Sequence, residues 1–264
     1  MEPVDLDRGT FAALAALIYE RAGIVLRPGK ESLVTGRLGK RLTALGLTGW
    51  QAYLDHLAGP AGEDELVVLL DAISTNVTSF FREPDHFTHF RAQVATDAAQ
   101  GRMRYWCAAA STGEEPYSMA MVTADAAPQA DWRILATDIS TRVLDQAQRG
   151  SYGEQAASGV PADLRARWMA RRGDLWQVDA RLRERVSYAR LNLAHPPFPM
   201  QGPFDAVFVR NVMIYFDNPV RQRLLNEVVR LLRPGGLLYV GHTESLAGLD
   251  LPLRPVAPAV YRKP

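Results

Sequence analysis

Residues 108–118, AAASTGEEPYS, hold the strongest chemical signal in the chain. A short apolar run, Tyr105 to Ala108, leads into small residues and then Glu114, Glu115 and Pro116, after which an amphipathic run begins at Tyr117. This order predicts a buried strand, a tight turn and a helix start, with Pro116 in the first turn where a missing N–H costs nothing. The small side chains let a ligand approach the backbone, as in glycine-rich nucleotide turns. A helix N-terminus ordinarily attracts phosphate. Two glutamates there repel a pyrophosphate and favour a nucleoside ligand carrying positive charge, and S-adenosylmethionine fits that description better than NAD or ATP. A plain strand–helix turn packed with small residues would read the same way, so the turn alone leaves both open.

Asp138 closes the next apolar run, 24 positions after Glu114. An acidic residue at that spacing can accept both hydroxyls of a ribose, and a helix N-cap is the alternative. Arg210 and Asn211 close a third apolar run. Asn76, Thr78 and Arg82 are polar members of a connecting stretch and also read as a solvated connector. Tyr215, in NVMIYF, reads as a packed aromatic whose hydroxyl reaches the surface. The histidines at 56, 86, 89, 195 and 242 show no metal-ligand spacing with cysteine or carboxylates, so no metal is expected, and His86 and His89 read as part of a solvated helix face. No Ser-His-Asp elbow and no phosphate loop is present. The absence of an obvious general base points to a nucleophile that needs no deprotonation.

The elements that must position these residues follow from periodicity. Residues 1–74 predict short helices: one with Phe11, Leu14, Leu17 and Ile18 on a face and a stop at Gly23, one over Lys30–Leu45 interrupted by Gly36 and Gly39, then Trp50–Leu57 and Glu65–Ile73. Residues 75–90 read as a linker into the second domain. Residues 91–264 alternate strands (Arg102–Ala108, Trp132–Thr137, Phe204–Val209, Leu237–Val240) with helices (from Glu114, Thr141–Gln148, Arg221–Leu232), which argues for an α/β, doubly wound, mostly parallel sheet. Such sheets bind ligands at the carboxyl ends of their strands, which gathers the 109–113 turn, Asp138 and Arg210–Asn211 around one crevice. A small β insert is expected at about 160–191, with Leu175–Val178 and Val186–Leu191 as its strands, a long crossover being the alternative.

Composition narrows the class. A chain of 264 residues, 47% hydrophobic, can build one large domain or two smaller ones. Its net charge of +1 provides no global field for nucleic acid or membrane. The single cysteine, Cys107, excludes an intramolecular disulfide and reads as buried. No signal segment and no bilayer-length apolar run is seen, so a cytoplasmic monomer without membrane insertion is expected.

STNVTSFFRE, AAASTGEEPYS, ATDIS, FDAVFVRNVMIYF and LLRPGGLLYVGHTES, in this order, resemble the chemotaxis receptor methyltransferases, the CheR family. The resemblance covers nearly the whole chain, including the helical front domain with RAGIVL. It implies an all-α N-terminal domain before a Rossmann-like methyltransferase domain. The implied reaction is methyl transfer from S-adenosylmethionine to glutamate side chains of chemoreceptors, leaving S-adenosylhomocysteine. It implies cofactor contacts at Asn76, Thr78, Arg82, Glu114, Asp138, Asn192, Leu193, Arg210 and Asn211, with Arg82 holding a carboxylate and Tyr215 orienting the glutamate. It also implies that the 75–90 linker contributes to the cofactor site. Tether-binding members carry a glycine-rich insert; here it reads RRGDLWQVDARL with one glycine, so docking of a receptor tether peptide is in doubt. A near-neutral protein needs a local basic surface to meet glutamate-rich receptor helices. Lys30, Arg37, Lys40 and Arg41 on the second helix are the candidates, a merely solvated face being the alternative.

Overall fold

A computed structural model describes residues 6–73, 77–98 and 101–264. The chain divides into two compact units, Met1–Thr75 with Tyr215–Val220, and Asn76–Ile214 with Arg221–Pro264.

The first unit holds α1 (Arg8–Ala22), α2 (Glu31–Ala44), α3 (Trp50–Ala58) and α4 (Gly62–Ile73). Asp7 caps α1 by accepting the amides of Gly9 and Thr10 at 2.8 and 3.0 Å, and Gly23 ends it at φ 68°, a conformation glycine adopts without a Cβ penalty. Phe11, Leu14 and Ile18 of α1 are buried, as are Val34, Leu38 and Leu42 of α2. Burial of that stripe carries α2 through Gly36 and Gly39, whose missing side chains would meet no neighbour within 4 Å.

The second unit runs α5 (Pro84–Asp97), β1 (Met103–Cys107), α6 (Glu114–Ala126), β2 (Trp132–Asp138), α7 (Thr141–Arg149), β3 (Ser151–Gly153), α8 (Glu154–Ala157), α9 (Ala162–Trp168), β4 (Met169–Arg172), β5 (Leu175–Val178), α10 (Ala180–Arg183), β6 (Val186–Arg190), β7 (Phe204–Val209), α11 (Asn218–Leu231, its first turn in the other unit), β8 (Leu232–Val240), β9 (Arg254–Ala257) and β10 (Val260–Arg262). Among the described residues the main sheet has seven strands in the order β6-β2-β1-β7-β8-β10-β9. Its first five are parallel, and β10 is antiparallel to both β8 and β9. Phe208 stacks on Tyr239 with centroids 4.2 Å apart, and Phe90 of α5 meets Tyr105 edge-on at 4.9 Å, so aromatic packing fastens α5 to the sheet. No helix among the described residues is long and apolar enough to cross a membrane.

Several expected boundaries differ; α5 begins at Pro84, inside the stretch 75–90 expected as a linker. Val186–Arg190 pairs in parallel with β2 and is the edge of the main sheet, so the separate small sheet is β3-β5-β4 and begins earlier in the chain. Helix α11 starts at Asn218 because the Asp217 carboxylate accepts the Val220 amide at 3.0 Å. The Arg233-Pro-Gly-Gly stretch joins β8 across a register shift opposite Phe204 and Ala206, with Arg233 held by Asp205 at 2.6 Å and Asp97 at 2.8 Å.

Candidate active site at the carboxyl edge of the sheet

The turn after β1 is built by backbone bonds to both neighbouring strands. Ala108 donates to the Phe208 carbonyl at 2.8 Å and Ala110 to the Thr137 carbonyl at 2.9 Å. Gly113 has φ 98°, and a Cβ there would lie 2.7 Å from the Tyr152 hydroxyl and 2.8 Å from the Ala147 Cβ, so glycine is required on both counts. Tyr152 also donates to the Thr112 carbonyl at 2.8 Å, which ties the small sheet to the turn.

Asp138 is buried at the end of β2. Its Oδ2 accepts the Ser111 amide at 2.9 Å and its Oδ1 the Ser140 amide at 3.0 Å. Ser140, not Asp138, caps α7, accepting the Val143 amide at 3.3 Å, so the N-cap alternative for Asp138 fails. Two backbone amides fix the carboxylate's orientation. The Leu191 amide donates to the Asp138 carbonyl at 2.9 Å and brings the next two residues, Asn192 and buried Leu193, beside it. Asn192 turns its side-chain oxygen to the Ala194 amide at 3.1 Å. Glu114 is buried and accepts the Thr112 hydroxyl at 2.6 Å; burial pushes its carboxyl above the usual range.

Arg210 directly follows β7. Its side chain is fully buried, donating from Nη1 to Glu115 at 2.6 Å and from Nη2 to Glu83 at 3.0 Å and to the Arg82 carbonyl, with its guanidinium 5.5 Å from the Phe87 ring centre. It clamps the Arg82–Glu83 loop to the start of α6. Glu115 also accepts the Cys107 thiol at 3.2 Å, and that cysteine is buried as expected. Burial alone would raise Glu83, but hydrogen bonding and charge from Arg210 hold its carboxyl below the usual range. Asn211 adopts φ 57° and donates from Nδ2 to Glu83 at 3.3 Å and from its amide to Glu244 at 2.8 Å. Glu83, Glu115 and Glu244 all fall within the motifs quoted above, yet spacing gives no sign of their partners Arg210 and Asn211, which lie 33 to 128 positions away.

Arg82 is half-buried and donates to the Val77 carbonyl at 3.2 Å; Thr78 is half-buried in the same loop, and Asn76 lies outside the described residues. Tyr215 ends a short 3₁₀ turn, Met213–Tyr215, is half-buried and belongs to the helical unit, where its carbonyl accepts the Val25 amide at 2.9 Å.

The solvated face expected for His86 and His89 is also corrected. His86 is 1% exposed and stacks edge-on with His242 at 4.6 Å, and His89 meets the Tyr239 hydroxyl at 2.9 Å. Glu83, His86 and His242 bring ligand-type atoms within 4.8 Å of one another, a grouping that sequence spacing cannot reveal because His242 is remote in the chain. The Glu83 oxygens already accept from Arg210, Asn211 and the His242 amide, and the adjacent guanidinium opposes a second cation.

The basic flank of α2 is partly engaged within its own unit. Arg37 donates to the Ile73 carbonyl, and Arg41 forks onto buried Glu65 at 3.0 and 3.1 Å from Nε, with Tyr53 donating to the same carboxylate at 2.8 Å. Both guanidiniums tie α2 to α4 within the unit, and Lys30 and Lys40 remain exposed.

With this geometry in place, comparison with known proteins is specific. Residues 9–74 match the family model described as the CheR methyltransferase all-alpha domain, and residues 76–259 match that of the CheR methyltransferase SAM binding domain. The chain is 41% identical over 258 residues to a chemotaxis protein methyltransferase of Escherichia coli strain K12, covering 94% of this chain and 88% of that protein. It is 40% identical over 246 residues to a probable chemotaxis protein methyltransferase of Rhizobium etli (88% and 91% covered) and 39% identical over 261 residues to chemotaxis protein methyltransferase 2 of Pseudomonas aeruginosa (96% and 92% covered).

Proposed function

This chain belongs to the CheR methyltransferase family and is an S-adenosylmethionine-dependent methyltransferase of chemotaxis, and from that premise we propose that its acceptor is a glutamate side chain on the cytoplasmic helices of a chemoreceptor, giving a glutamate methyl ester and S-adenosylhomocysteine. The acidic character of the carboxyl edge carries the cofactor half of this reading: Glu114 and Asp138 face the turn after β1, where a pyrophosphate would be repelled and a cationic nucleoside favoured.

The donor set fits the cofactor. Asp138, oriented by two amides, holds the ribose hydroxyls. Glu114, Asn192 and Leu193 line the nucleoside, with Asn76, Thr78 and Asn211 contributing further contacts. Arg82 binds a carboxylate, the cofactor's or the substrate's, and Arg210 supports the site through the loop it clamps. When bound, S-adenosylmethionine supplies an electrophilic methyl group on a sulfonium. The acceptor glutamate is already ionised at neutral pH, so no residue need remove a proton before attack. What this chain supplies is alignment and the exclusion of water, which would otherwise stabilise the attacking anion. Tyr215 orients the incoming carboxylate. The exposed Lys30 and Lys40 of α2 meet the glutamate-rich receptor helices, while Arg37 and Arg41 hold the helix that presents them. The enzyme works as a cytoplasmic monomer without metal.

Incubation with radiolabelled S-adenosylmethionine and receptor cytoplasmic domains tests the proposal. Base-labile label on receptor glutamates is expected. Label that resists base, or appears only on small molecules, would place the acceptor elsewhere.

A further inference from the structure

We propose that Glu244 is a positioning residue of the methyl-transfer site, the group that sets the backbone of the turn running from Asn211 to Met213; this rests on the functional reading above. Glu244 lies just after β8, is 5% exposed and carries no side-chain cation partner among its hydrogen bonds. Its carboxylate instead collects three backbone amides. Oε2 accepts Asn211 at 2.8 Å and Gly241 at 2.7 Å, and Oε1 accepts Met213 at 2.7 Å. Its own amide donates to the Gly241 carbonyl at 2.8 Å, which closes the turn that carries it.

Three converging donors require an acceptor-only group, and an ionised carboxylate is the side chain that offers one. A glutamine would turn its NH₂ toward at least one of the amides. The requirement bears on Asn211 in particular. Asn211 sits at φ 57°, in the left-handed region that asparagine tolerates but does not prefer, and its side chain is gripped separately by Glu83 at 3.3 Å. One carboxylate therefore fixes the backbone of Asn211 and another fixes its side chain. Gly241 leaves the room for this. A Cβ there would stand 2.5 Å from Asn211 Nδ2 and 2.9 Å from Glu244 Oε2. The turn so held occupies the carboxyl end of β7, beside the β1 turn to which β7 is paired through Cys107 and Phe208.

Glu244→Gln, Glu244→Asp and a control, Asp205→Asn, test the assignment. Asp205 accepts the Arg104 amide and pairs with Arg233 at the amino end of β7, so its loss costs stability away from the crevice. Glu244→Gln is expected to weaken S-adenosylmethionine binding about 10-fold or more by calorimetry and to speed hydrogen exchange at Asn211, Met213 and Gly241. Glu244→Asp, which keeps the charge on a shorter arm and serves if the glutamine variant does not fold, should fall between it and wild type. Asp205→Asn should lower the unfolding midpoint while leaving affinity within about 2-fold. Unchanged cofactor affinity in Glu244→Gln, unchanged amide protection, or an equal affinity loss in the control would each overturn the proposal. A wild-type protein that fails to bind S-adenosylmethionine would instead sink the functional reading, and the exchange measurement would still decide whether Glu244 holds the turn.

Discussion

Arg210 and Glu115, 95 positions apart in sequence, form a buried ion pair at 2.6 Å between the end of β7 and the first turn of α6. A pair this deep is costly to break because the survivor keeps its charge in a low-dielectric site. Arg210→Ala is expected to destabilise the protein by about 3–5 kcal/mol in urea unfolding. Loss of cofactor affinity in that variant should track the fraction unfolded, as the guanidinium supports the site through Glu83 and the Arg82 carbonyl. Intact stability with lost affinity would instead mark Arg210 as a direct contact.

Asp138 allows a cleaner separation of binding from folding. If Asp138 accepts the ribose as proposed, Asp138→Ala removes that acceptor, and a lost charged hydrogen-bond partner costs on the order of 1.5–3 kcal/mol, or roughly 10- to 100-fold in affinity. Because Ser111 and Ser140 also depend on this carboxylate, Asp138→Asn is the companion variant, keeping one acceptor oxygen. Calorimetry giving wild-type affinity in folded Asp138→Ala would remove the residue from the site.

On α2, the two kinds of cation should separate experimentally. Arg41→Glu sets a second carboxylate against buried Glu65 and is expected to lower the thermal midpoint sharply, at a cost of about 3 kcal/mol or more. Lys30→Glu with Lys40→Glu should leave the midpoint unchanged but slow receptor methylation, most at low salt. Equal methylation rates across a salt series would show that the lysines only solvate the helix.

His86 should make stability depend on pH. Burial, followed by the Arg210 charge, lowers its pKa from 6.5 to about 4, against the opposing pull of Glu83 and Asp85 and with His242 adding to the fall. The folded value lies below the unfolded one, so the unfolded chain binds the extra proton as pH falls through about 6.5. Stability therefore declines from there down to about pH 4, by up to roughly 1.4 kcal/mol per pH unit. Urea midpoints measured from about pH 7 to pH 4.5 should show a steeper slope for wild type than for His86→Asn. Parallel slopes would assign the acid sensitivity to the carboxylates instead.

What the sequence disclosed and what it hid follow from the range of the forces involved. Phe204–Val209 and Leu175–Val178 were readable to the residue because an apolar run bounded by turn residues is a local signal. The turn at Gly113 and the acidic end of β2 were readable for the same reason. The partners of Arg37 and Arg41 were hidden because helical spacing tells which side of α2 they occupy but not that Ile73 and Glu65 wait there. The exposure of His86 was misread likewise, since an isolated helix pattern cannot know that Tyr239 and His242 will cover it. The β9–β10 hairpin left no signal because its strands are short and Pro255 interrupts the pattern.

The helical unit does not end where its four helices end. Tyr215–Val220, coded far downstream, completes it: Val25 donates to the Tyr215 carbonyl at 2.9 Å and the Tyr19 hydroxyl to Asp217 at 2.7 Å. A chimaera that exchanged only the first 75 residues between relatives would therefore graft an incomplete module. The helical unit is encoded discontinuously, and substitutions at Tyr19 are constrained by a segment almost two hundred codons away.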